Sequence, residues 1–80
     1  LQAKEGSLIN VEAKLSVVSC KRLLVRSGPS READQINVLN SGEIVTIIHQ
    51  TGRWSQITWE KNGLIMSGWV YNRYLNALAN

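Results

Sequence analysis

Leu23-Leu24-Val25-Arg26-Ser27-Gly28-Pro29-Ser30 near the start and Gly68-Trp69-Val70-Tyr71-Asn72-Arg73-Tyr74-Leu75 near the end bracket this 80-residue chain. Each joins a strand fragment to special backbone chemistry. In the first, Leu23 and Val25 alternate with Leu24 and Arg26, the period of a half-buried strand, before a Gly-Pro turn. Between the brackets lie the β-branched runs Ile44-Val45-Thr46-Ile47-Ile48 and Ile57-Thr58, and Val17-Val18 precedes them. Gly recurs at positions 28, 42, 52, 63 and 68, and no segment carries an apolar stripe of helical period. Several short strands at such spacing point to an all-β barrel or sandwich of about five to seven strands, mainly antiparallel.

The hairpins follow from turn chemistry. Asn62-Gly63 suits a two-residue type I′ loop, which needs positive φ at both central residues. That loop pairs Lys61 with Leu64, Trp59 with Met66 and Ile57 with Gly68. Thr51-Gly52 makes a second hairpin that brings His49 opposite Trp54, and Leu39-Asn40-Ser41-Gly42 makes a third turn. The turn at Ser27 opens the longest irregular connection, about ten residues. Alternation aims Leu23, Val25, Ile36, Leu39, Val45, Ile47, Ile57, Val70 and Leu75 inward, with Trp59 and Met66 capping the core. Trp54 is out of phase with Ile57 and faces away from that core.

Alternation, then Ser-Gly-Pro-Ser, then hairpins, then Gly-Trp-Val and an aromatic-Leu close resembles the bacterial SH3-type domain, a small SH3-like β-barrel. The resemblance spans residues 13 to 78. It implies a barrel domain over residues 13–80, a lead-in or edge segment over residues 1–12, and a short 3₁₀ turn near the C-terminus. Two departures stand out: Leu24 occupies a position where the family usually has Asn, and the hairpin before Gly68 is longer than the family's tight turn. An apolar Leu24 fits contact with the lead-in, which carries Leu8, Ile9 and Val11, or an apolar edge.

Composition narrows the functions. A hydrophobic fraction of 44% and a charged fraction of 19% place the chain among globular domains, not disordered ones. The net charge of +3 comes from dispersed basic residues. Nucleic-acid binding, which needs a basic groove with stacked rings, is therefore the weakest of the partner classes. One Cys excludes an internal disulfide, and one His with one Cys falls short of a zinc set. Cys20 and His49 are the only nucleophile–base couple, with no helix N-terminus to activate the thiol. Six scattered carboxylates offer no pair for acid–base work. The sequence thus implies no enzyme, no cofactor and no metal. No apolar run is long enough for a membrane-spanning helix. The chain begins at Leu1 and reads as a piece of a larger protein, monomeric as an isolated domain.

By resemblance, a shallow groove forms from residues 26–33, 49–54 and 71–74. Trp54, Tyr71 and Tyr74 supply rings there, and Arg31, Arg53 and Asn72 supply directional hydrogen bonds. Arg26 braces the long loop, His49 is a solvated turn residue, and Trp69 packs across the sheet. The expected function is a non-catalytic binding module of a bacterial protein, recognising peptidoglycan or its peptides outside the cytoplasm, in the periplasm or cell envelope. Docking on a neighbouring domain is the alternative.

Overall fold

The computed structural model of the protein describes residues 13–78. Among the described residues seven antiparallel strands run in chain order as β1 (Lys14–Val18), β2 (Arg22–Arg26), β3 (Gln35–Asn40), β4 (Ile44–Thr51), β5 (Trp54–Lys61), β6 (Leu64–Tyr71) and β7 (Leu75–Ala77). A 3₁₀ turn, Asn72–Tyr74, separates β6 from β7. The strands form one sheet in the order β3-β2-β6-β5-β4-β1-β7. The fold is therefore all-β, as the sequence implies. The possible edge strand of Leu8, Ile9 and Val11 lies outside the described residues.

Asn62-Gly63 forms the expected loop, with φ of 54° and 81° and Lys61 paired to Leu64, Trp59 to Met66 and Ile57 to Gly68. The preceding hairpin is shifted by one residue from expectation. Thr51 pairs with Trp54, so Gly52-Arg53 is the loop and His49 faces Gln56 instead of Trp54. Gly52 opens that loop with φ 59°, which suits the first central position of a type II′ turn. A bulge at Ile48, between the pairs Ile47–Ile57 and His49–Gln56, absorbs the extra residue. His49 accordingly belongs to β4, where its ring meets Trp69 edge-on at 5.9 Å, and not to a turn.

One cluster of buried side chains holds the fold: Val18, Leu23, Val25, Leu39, Val45, Ile47, Ile57, Trp59 and Val70. It draws on six strands, including β3 at one end of the strand order and β1 next to the other end, so the sheet must curl around its own inner face to bring them together. Leu75 and Met66 are half-buried against this cluster. Ile36 corrects the sequence reading, for it is 50% exposed. Ile36 is three residues from Leu39 and so out of phase with it, and it also sits at a bulge, since Arg26 pairs with Gln35 and Val25 with Asn37. Counting back from buried Leu39 in steps of two, the core face passes through Asn37 and skips Ile36. Ser55, fully buried, has its hydroxyl met by the Gln50 side-chain amide at 3.3 Å.

Gly68 governs how β6 meets β2. A Cβ on it would collide with Val25 Cγ1 and lie 3.2 Å from the Arg26 carbonyl oxygen. Only a residue without a side chain permits this approach, where the two strands share the pair Arg26–Trp69. β2 and the end of β6 are thereby held side by side.

Candidate functional site

Three connections converge where β5 begins and β6 ends. Trp54 is the first residue of β5 and Tyr71 the last of β6, and the two are cross-strand partners. Their rings lie 4.6 Å apart at 53°. The chain then enters the 3₁₀ turn, which is tied to the β4–β5 loop by two bonds: the Asn72 N–H donates to the Arg53 carbonyl at 2.9 Å, and the Asn72 side-chain amide donates to the Gly52 carbonyl at 3.2 Å. That turn carries Tyr74 to 6.3 Å from Tyr71, stacked at 26°. Tyr74 is also half-buried against the core, and its carbonyl accepts from both the N–H and the hydroxyl of Ser19 at 2.9 and 3.0 Å.

The third connection is residues 27–34, eight residues in place of the roughly ten expected. The Ser27 N–H donates to the Asp34 carbonyl at 2.9 Å and closes its base. Arg26 braces it from β2, its Nη1 donating to the Ala33 carbonyl at 3.0 Å, the role anticipated for it. Inside the loop the Ser30 hydroxyl donates to Glu32 Oε1 at 2.7 Å and accepts from the Glu32 N–H at 3.0 Å. The Ser30 bond holds the Glu32 carboxyl below the usual Glu range. The residue's own N–H and the charges of Arg31 and Arg26 add to this, and desolvation opposes it. So fixed, the loop presents Arg31, whose Nε donates to Tyr71 Oη at 3.2 Å and whose guanidinium carbon lies 5.6 Å from the Tyr71 ring centre. Arg73 sits similarly at 5.4 Å over Tyr74.

Two adjoining cavities share Arg31 and Tyr71. One, about 340 Å³, has Leu23, Leu24 and Cys20 in its wall, with Trp54, Tyr71 and Tyr74 as rings and Arg22, Arg26 and Arg31 as cations. The other, about 480 Å³, is bounded by Arg31, Arg53, Tyr71, Asn72 and Arg73. All six residues singled out from the sequence thus border this groove: Trp54, Tyr74, Tyr71 and Arg31 in the first part, Arg53 and Asn72 in the second. Arg22, Leu24 and Cys20 were not expected there. Arg22, Leu24 and Arg26 occupy alternate positions of β2 on the face opposite Leu23 and Val25, so the period-2 pattern held the signal for two of them.

Catalytic groups do not assemble here. The Cys20 thiol donates to the Arg22 carbonyl at 3.3 Å, and His49 is packed on Trp69. Among the described residues no three His, Cys, Asp or Glu side chains gather to hold a metal ion, and no helix is long and apolar enough to cross a membrane. What the arrangement offers is an apolar floor, packed aromatic rings and a rim of guanidinium groups. A family model described as a bacterial SH3 domain matches residues 21–76, a span that contains every residue of this groove except Cys20. No curated protein and no solved structure matches the chain.

Proposed function

The chain belongs to the bacterial SH3 domain family, a family of binding modules, and we propose that it serves a larger bacterial protein as a non-catalytic targeting module for cell-wall peptidoglycan or its peptides. Residues 13–80 form the module in this reading, with residues 1–12 leading into it, and its place is outside the cytoplasm. The observation that carries the proposal is the groove itself. Trp54, Tyr71 and Tyr74 converge from two strand ends and a 3₁₀ turn beside a cavity of about 340 Å³, on a scaffold with no assembled catalytic set among the described residues. Large, stiff aromatic side chains give contact area at low entropic cost, which suits recognition by a shallow surface.

The test is co-sedimentation with purified sacculi. Trp54→Ala, alone and combined with Tyr74→Ala, abolishes retention of the domain while its circular dichroism and cooperative unfolding persist. Retention equal to the parent domain removes the groove from consideration.

Docking on a neighbouring domain has one observation in its favour. Leu64 and Ile65, at the tip of the β5–β6 hairpin, are 65% and 73% exposed. That tip lies at the opposite end of the hairpin from Trp54 and Tyr71, so both functions fit on one module. Leu64→Ser with Ile65→Ser would weaken association with the parent chain and leave sacculus binding intact.

A further inference from the structure

We infer that the groove selects a peptide bearing a free carboxylate, gripped by Arg31, Arg53 and Arg73, in preference to a neutral glycan strand; the inference rests on the groove being the binding surface. Three observations converge on it. The first is where the guanidinium groups lie. The chain has five arginines, and all five, Arg22, Arg26, Arg31, Arg53 and Arg73, line the two adjoining cavities, whereas no lysine and no carboxylate among the described residues does. A merely basic surface would use both cations. Arginine alone offers a planar fork of donors that matches a carboxylate in a bidentate manner.

The second observation concerns the rings. A sugar stacks on an open aromatic face, and these faces are engaged. Tyr71 packs against Trp54 at 4.6 Å and Tyr74 at 6.3 Å, and carries the Arg31 guanidinium at 5.6 Å. Tyr74 carries Arg73 at 5.4 Å. Cation–π contact fixes a guanidinium in place and leaves its charge and its outer N–H groups available. Arg31 gives only Nε–H to Tyr71 Oη, so its two terminal nitrogens stay free of that bond. The groove therefore presents guanidinium edges held on tyrosines more than bare ring faces.

The third observation is the apolar floor. Leu24 and Cys20 beside Trp54 suit an aliphatic side chain, which a peptide has and a hydroxyl-covered glycan lacks. Glu32, bonded to Ser30 within the loop, is near enough for its charge to interact with Arg31 and Arg26, yet it lines neither cavity.

The test titrates the purified domain, followed by nuclear magnetic resonance, with two isosteric probes: N-acetyl-Ala-Leu-Glu as the free acid, and N-acetyl-Ala-Leu-Gln as the C-terminal amide. The acid binds at least about tenfold more tightly than the neutral probe, since charge-assisted bonds to arginine distinguish them. Arg53→Lys with Arg73→Lys, which keeps the charge and removes the forks, loses most of that preference. Equal binding of the two probes overturns the carboxylate inference, as does binding of neither. Perturbation of the groove by an N-acetylglucosamine tetramer but not by the acid peptide also overturns it, and the groove reading then stands. Undiminished sacculus binding by Trp54→Ala would instead remove the groove reading itself.

Discussion

Gly68→Ala adds one methyl group at the point where β6 lies against β2. Its backbone φ is ordinary, so no conformational strain enters, and loss of glycine freedom in the unfolded chain favours the variant by about 0.4–1 kcal/mol. The new Cβ, however, falls on Val25 Cγ1, and Val25 is fully buried with no room to yield. The Arg26 carbonyl at 3.2 Å and Ile36 Cδ1 at 3.4 Å tighten the site further, although half-exposed Ile36 can move. Overpacking of this kind costs about 1–3 kcal/mol. The net loss is about 1–2 kcal/mol, which for a domain of this size lowers Tm by about 4–16 °C. Urea unfolding followed by tryptophan fluorescence measures it. A double-mutant cycle identifies the cause. Val25→Ala removes the colliding methyl groups, so Gly68→Ala in that background becomes neutral or stabilising, with a coupling of at least about 1 kcal/mol. The same loss in both backgrounds, or a gain in the first, refutes the reasoning. Because the first cavity is walled by β2 on one side and Tyr71 of β6 on the other, Gly68→Ala also weakens ligand binding more than its stability loss alone requires.

Gly63→Ala places a side chain at φ 81° with open space around it, so it costs about 1–2 kcal/mol in urea unfolding. It leaves sacculus binding unchanged, since seven strand steps, roughly 23 Å, separate the tip from Trp54. Arg26→Met removes the bond to the Ala33 carbonyl, costs about 1 kcal/mol and speeds hydrogen exchange at the Ser27 and Ala33 amides. The Glu32 carboxyl, its pKa depressed chiefly by Ser30, supports the loop at pH above the ordinary Glu value of about 4.3 and loses that support as pH falls through its lower folded value. A side-chain NMR titration detects this, and Ser30→Ala moves the midpoint up toward the ordinary value.

The strands were legible because their periodicity and turn residues agree. Asn62-Gly63 named its own loop, and from it the whole β5–β6 register followed to Trp54–Tyr71. The two errors differ in kind. Ile36 was out of phase with Leu39, so alternation from Leu39 already excluded it from the core. Ile48 is an extra residue in β4, and a period-2 count has no means of seeing an insertion that only the partner strand reveals. Bulge and turn together moved His49 away from Trp54. The groove was legible in its aromatic members, since Trp54 was out of phase with the core. Its cationic lining was legible only in part. Arg53 and Asn72 sit at turns already marked, and alternation in β2 puts Arg22 on the outer face with Leu24, whereas Cys20 enters only through the curl that brings β2 beside β6, a tertiary contact with one register pair behind it.

The three tryptophans provide an internal comparison for the central claim that ligand enters the groove. Trp54 lines it, Trp59 is buried in the core, and Trp69 packs against His49 away from it. The decisive measurement is the indole N–H spectrum of the labelled domain during titration with soluble peptidoglycan fragments. The Trp54 indole shifts in a saturable manner while those of Trp59 and Trp69 hold still. Movement of the Trp69 indole with Trp54 unmoved would contradict the claim and place the binding surface further back along β6, beside His49 on the same face of the sheet.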